Sequence, residues 1–196
     1  MQKVGCLKCG TLILPTTAQR TSGLCMPCST GTREAIERSR ASAREERTLD
    51  RTDPERLLWK SLVSRVHAPG GGFETLSEPE KKYYSAQLLL GEVYNGGFDQ
   101  FFHNHSGEHF TVASQTLLEL GAQRSLQLLR QAKEILFAND EVPRHTPTRR
   151  QYLASHPIKD DSSLEELDKE FWSDPDALYE KLSAFATKQG LYGIAA

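Results

Sequence analysis

The sequence predicts an all-α fold: a compact multi-helix domain of about six or seven helices, with a small cysteine-rich module ahead of it. Three observations carry this expectation. Helix-opening signals recur along residues 53–196, with apolar residues at helical spacing behind them. No strand-like alternation interrupts that series. All four cysteines fall within the first 28 residues.

Composition narrows the function classes. The 196 residues are 38% hydrophobic, enough for a core, and carry a formal charge of -2. The chain as a whole is therefore neither a polyanion nor a uniformly basic nucleic-acid binder. The charge is unevenly spread, however. Residues 1–52 hold nine Lys and Arg against five Asp and Glu, whereas 53–196 hold fifteen against twenty-one. Residues 12–14 are too short for the apolar part of a signal peptide, and no run approaches the roughly 18–20 apolar residues of a membrane helix. A cytoplasmic protein is expected, which bears on the cysteines.

These are arranged as Cys6-x-x-Cys9 and Cys25-x-x-Cys28, with fifteen residues between the pairs. Two intervening residues let one tight turn offer two thiolates to a tetrahedral ion, so the spacing predicts a four-cysteine zinc site. Two disulfides would need an oxidising compartment. Four thiolates leave no open coordination position, so the zinc is expected to be structural. Residues 1–31 cannot bury a core of their own, and the metal would supply most of their folding energy. Such ribbons serve as nucleic-acid binders, protein docks or folding staples, and spacing does not choose among them. Residues 12–14 should form a short strand between the two pairs.

Residues 32–52 read as a charged helical linker. Thr32 is placed to cap it, apolar residues are scarce, and Arg40, Arg44, Arg47 and Arg51 recur in steps of four, three and four. They would form one basic stripe, either contacting phosphates or an acidic partner, or simply solvated in a linker laced by ion pairs.

The helical domain occupies 53–196. Asp53 and Pro54 open a helix carrying Leu57, Leu58, Leu62, Val63 and Val66, which ends at Pro69-Gly70-Gly71-Gly72. Ser77 and Glu80 form a capping box for a helix with Tyr83, Tyr84, Leu88, Leu89 and Val93, expected to stop at Asn95-Gly96-Gly97. A short helix closed by Gly121 follows, then one with Leu126, Leu129, Ala132 and Leu136 on one face. A polar loop with Pro143 and Pro147 is expected next. Ser163 to Glu166 reads as another capping box, and Asp174-Pro175 as a second Asp-Pro helix opening.

The stretch 94–110, YNGGFDQFFHNHSGEHF, stands apart. Its tandem glycines re-aim the chain, Phe98, Phe101 and Phe102 should anchor a short helix in the core, and Asn104, Ser106 and Gly107 make the exit turn. The residues Asn95-Gly96-Gly97-Phe98, Gln100-Phe101-Phe102, Asn104 and Gly107, with Gly121-Ala122 beyond, resemble the C-terminal domain family named for a bacterial DNA-mimic protein. More weakly, the likeness extends over residues 55–185. It implies an all-helical protein-binding domain; the name-giving member is understood to present acidic surface in place of DNA phosphates to a transcription regulator. The cysteine module and arginine stripe lie outside that domain. The excess acid lies in 160–180, which holds nine acids, among them Asp160, Asp161, Glu165, Glu166, Asp168 and Glu170, against Lys169 alone. These six are candidate partner contacts.

Catalytic signatures are sparse. His105 and His109 could share a metal if the turn were helical, with His103 nearby, which leaves a metal-dependent hydrolase as a remote alternative. The expected bland reading has these histidines facing solvent. No nucleophile elbow, dinucleotide fingerprint or zinc-protease motif is present. The expectation is a non-enzymatic bacterial protein that occupies the surface of a protein partner, such as a transcription regulator or toxin. Nucleic-acid binding through residues 1–52 is the alternative.

Overall fold

The computed structural model describes residues 2–157 and 162–193. It comprises two compact units, Met1–Arg56 and Leu57–Ala196.

In the first unit, β1 (Val4–Gly5) pairs antiparallel with β2 (Leu12–Ile13), which is the strand expected between the cysteine pairs. Two short helices follow, α1 (Pro15–Arg20) and α2 (Met26–Ser29), each with a proline in its first turn. Cys6, Ile13, Cys25 and Cys28 are the buried centre, far too few side chains to stabilise such a unit by burial alone. The last element is α3 (Arg33–Thr52), whose described residues are all at least partly exposed. Thr32 sits at its N-cap without making a side-chain cap, because its hydroxyl is instead within 3.0 Å of that of Thr30.

From residue 54 onward the chain is helical, with seven α-helices among the described residues. Asp53 Oδ1 accepts the Arg56 amide at 2.8 Å and so opens α4 (Pro54–His67), whose Leu58 and Leu62 are buried. The capping box at Ser77 forms as expected: Glu80 Oε2 accepts both the amide and the hydroxyl of Ser77 at 2.8 Å. It starts the central helix, α5 (Glu78–His103), which packs against α6 (Phe110–Glu119), α7 (Gln123–Phe137), α8 (Thr146–Ser155), α9 (Ser162–Trp172) and α10 (Leu178–Lys188). Gly121 closes α6 with paired bonds, Ala122 N–H to Leu117 O and Gly121 N–H to Leu118 O, the Schellman pattern.

The helix through Val93 ends at the Asn95-Gly96-Gly97 break as expected, and a second arm runs on to His103, so α5 is two helical arms across a kink. Three local expectations are corrected. The polar loop after α7 contains α8, since Pro147 falls in a first helical turn, where its missing N–H costs nothing. Ser163 lies inside α9 and so does not cap it. Asp174 and Pro175 form a turn ahead of α10, with Asp174 Oδ1 accepting the Leu178 amide at 2.7 Å.

Candidate functional site

The four cysteine sulfurs lie within 4.8 Å of one another, and the Cys9 and Cys25 sulfurs are 3.7 Å apart. A tetrahedral ion with bonds of about 2.3 Å to sulfur requires sulfur–sulfur edges of about 3.8 Å, so the set can hold a metal ion. The surroundings act unevenly on the four thiols. The Cys25 amide donates to Cys6 Sγ at 3.1 Å. Hydrogen bonding to Thr11 pulls the Cys9 thiol down to about 6, whereas burial pushes Cys28 up to about 12. Metal ligation would take all four as thiolates. Sequence reasoning missed Arg33 here. From the first turn of α3 its Nη2 donates to Cys9 Sγ at 2.9 Å, to Cys25 Sγ at 3.1 Å and to the Thr11 hydroxyl at 3.1 Å. An arginine 24 residues from Cys9 carries no ligand-like spacing, so nothing in the pattern pointed to it.

The arginine stripe forms on α3 as the spacing predicted. Arg40 pairs with Glu37 at 3.5 Å, and Arg44, Arg47 and Arg51 line an open groove with Thr48 and Thr52.

The stretch 94–110 is structural throughout its core. Phe98, Phe101 and Phe102 are fully buried, each contributing about 2 kcal/mol of apolar burial. Gly97 adopts φ 79°, and a Cβ there would lie 2.2 Å from Asp168 Oδ2. Across the break, Glu92 Oε2 accepts Gln100 Nε2 at 2.6 Å and Asn104 Nδ2 at 3.0 Å, so two of the motif amides clamp the arms of α5 together. Asn95 lies in the open groove beside them. The backbone carbonyls of Phe102 and Asn104 accept from Arg149, a fully buried guanidinium that also donates to Pro143 O and Arg144 O.

The three histidines do not form one set, although the His105 and His109 rings lie 6.3 Å apart. His103 and His105 are exposed, but His109 is 7% exposed, its ring 4.3 Å from that of Phe73 and edge-on to Tyr84. The expectation that all three face solvent fails there, because the turn folds as a short 3-10 helix that sends His109 inward. Burial holds its imidazole down at about 4 and hence neutral. Among the described residues, the four cysteines are the one cluster of three or more groups suited to a metal.

In the acidic segment, Asp160 and Asp161 lie outside the described residues. Asp168 and Glu170 are turned to internal use: Asp168 accepts the Phe98 amide at 2.8 Å, and Glu170 pairs with Arg124. Glu165 and Glu166 are exposed. Close by lies a second feature that no spacing pattern announces. Trp172 donates its indole N–H to Val93 O at 2.7 Å yet remains 45% exposed, beside Tyr94 at 46%. Asp174 and Glu180 stand near enough to add to the burial that raises the Tyr94 hydroxyl.

A helical domain with a broken central helix, built on an Asn-Gly-Gly-Phe motif and preceded in the chain by a four-cysteine cluster, defines a class of small helical protein. The family model of the DMP19-like protein matches residues 74–189, and the chain belongs to that family. No curated protein and no solved structure matches it. The matched region begins after the cysteine unit and ends within a residue of the C-terminus of α10. No helix among the described residues is long and apolar enough to cross a membrane.

Proposed function

We propose that this is a non-enzymatic, cytoplasmic bacterial protein that acts by occupying a basic, nucleic-acid-directed surface on a protein partner, such as a transcription regulator or toxin. The helical domain, residues 53–196, is the acting part. Residues 1–31 are a structural zinc module and 32–52 the link between them. Membership of a family named for DNA mimicry supports the choice of partner class. The observation that carries the reading is two half-exposed aromatic side chains, Tyr94 and Trp172. Tyr94 has Asp174 and Glu180 near its hydroxyl. Trp172, whose indole N–H is held by the carbonyl of the adjoining Val93, shares α9 with the exposed Glu165 and Glu166. Exposed Tyr and Trp side chains are the residues most often found at binding hot spots, and acids close to them favour a cationic partner.

Acidity alone supports mimicry less well. Asp168, Glu170, Asp174 and Asp176 hold the fold together through hydrogen bonds and an ion pair, so few carboxylates are left at phosphate-like spacing. The proposal therefore rests on a local patch. Affinity capture from native bacterial lysate tests it. The tagged chain should retain a basic nucleic-acid-binding protein, and Tyr94→Ala with Trp172→Ala should release it while the helical signal stays unchanged. Capture of nothing, or the same capture by the double variant, overturns the reading.

A further inference from the structure

We propose that α3 docks on the phosphate backbone of duplex nucleic acid through Arg44, Arg47 and Arg51. At about 100° and 1.5 Å per residue, Arg40, Arg44, Arg47 and Arg51 fall within an arc of about 60° along about 16 Å of helix. None of the residues of α3 is buried, so this face is committed to no core.

Three of the five acids on the same helix are engaged by arginines other than Arg44, Arg47 and Arg51. Glu37 is shared by Arg33 at 3.2 Å and Arg40 at 3.5 Å. Glu46 and Asp50 are both engaged by Arg56, at 2.5 and 3.2 Å. Arg44, Arg47 and Arg51 are left without an ion pair among the described residues. These three line one groove with Thr48 and Thr52, whose hydroxyls donate along the helix to Arg44 O and Thr48 O. The donors the groove offers outward are therefore guanidinium groups, whose planar forks fit phosphate oxygens.

Three cations over about 10 Å of one helix suit a ligand with regularly repeated anions. A duplex carries one charge per roughly 1.7 Å of axis and meets all three at once. In B-form DNA the major groove, about 12 Å wide, also admits a bare α-helix. An isolated acidic side chain would satisfy one arginine only. Contacts to phosphate oxygens carry no base identity, so binding through these three arginines should be independent of sequence.

The test uses the full chain in zinc-containing buffer, with labelled mixed-sequence duplex DNA and duplex RNA followed by fluorescence anisotropy from about 50 to 200 mM salt. The logarithm of affinity should fall linearly with that of salt, with a slope of about -3 for three phosphates. Arg44→Gln, Arg47→Gln and Arg51→Gln together should abolish the slope and reduce binding at least tenfold. Glutamine keeps helix propensity, and circular dichroism checks that α3 persists. Arg38→Gln, about 160° around the helix from Arg40, should change affinity less than twofold. Binding of either duplex through these arginines supports the proposal, and the preferred one names the nucleic acid. It is overturned if neither duplex binds at the lowest salt, if the triple variant keeps the slope, if Arg38→Gln weakens binding as much as Arg47→Gln, or if poly-glutamate binds and the duplexes do not.

Discussion

The Asp168 carboxylate accepts the backbone N–H of Phe98 at 2.8 Å, so α9 supplies the acceptor that the break in α5 denies to that amide. Removing the acceptor should cost the full desolvation of the orphaned amide. Asp168→Ala is expected to lose about 1–3 kcal/mol, whereas Asp168→Asn keeps an oxygen in place and should stay within about 1 kcal/mol. Burial raises the Asp168 carboxyl above its usual range. A raised acid contributes stability that is present below its unfolded pKa and lost as pH rises through the folded value. Asp168→Asn should therefore compare better with the parent at neutral pH than at pH about 3, in urea titrations at both.

The two glycines of the break should respond differently to alanine. Gly97 is at φ 79°, with Asp168 in the space a Cβ would need, and Gly97→Ala should destabilise by more than about 2 kcal/mol. Gly96 has φ -161°, outside the left-handed region, and its Cβ would meet the Gln100 side chain, closest at the flexible amide end. Gly96→Ala should cost about 1 kcal/mol or less. Equal costs by chemical denaturation would mean that the break is not where the strain lies.

Acid should unfold the helical unit in two separable steps. His109, held down at about 4, is neutral in the folded protein. A depressed base contributes stability above its unfolded pKa near 6.5, and loses it as pH falls toward the folded value. The loss reaches up to about 3 kcal/mol between pH about 6.5 and 4. Glu80, kept near 2 by Arg65 and by Ser77, loses its contribution only from its usual range downward. His109→Phe should flatten the upper part of the acid limb and leave the lower part, read as denaturation midpoints against pH.

Helix existence was legible in the sequence because Asp53, Pro54 and the Ser77–Glu80 box are local devices whose partners lie within four residues. The cysteine cluster was legible because each Cys-x-x-Cys pair is local and the same spacing occurs twice. What escaped detection depends on distant partners. Arg149 sits in what reads as a proline-punctuated loop, and only the carbonyls of Phe102 and Asn104, more than forty residues upstream, explain why it is buried. His109 looked polar until Phe73 and Tyr84 closed over it. The acids of 160–180 read as one surface run, yet Asp168 and Asp176 are spent on the amides of Phe98 and Ser125.

Arg149 is fully buried and its guanidinium serves four backbone carbonyls and the Thr146 hydroxyl. Lysine offers three donors from one point and cannot span that set. Arg149→Lys and Arg149→Met should both lower stability by about 3–5 kcal/mol, since each strands several buried carbonyls. A loss below about 1 kcal/mol in thermal unfolding would show that water replaces the guanidinium.

The metal prediction separates the two units of the chain. Cys9→Ser or Cys25→Ser removes one of four sulfurs that lie within 4.8 Å, and should abolish stoichiometric zinc binding. Residues 1–31, whose buried centre is chiefly cysteine, should then become sensitive to protease. The helical unit has its own core from Leu58 to Leu191 and should keep its circular dichroism signal and unfolding transition. Arg33→Met makes a finer test. A four-thiolate zinc site carries two net negative charges, and Arg33 donates to two of its sulfurs, so its loss should weaken zinc retention against a chelator by about tenfold to a hundredfold, as outer-shell changes do. Arg33→Lys should recover part of that, because it restores the charge without the fork. Unchanged retention in Arg33→Met would mean that the arginine only decorates the site, and loss of the helical transition in the cysteine variants would mean that the two units do not fold independently.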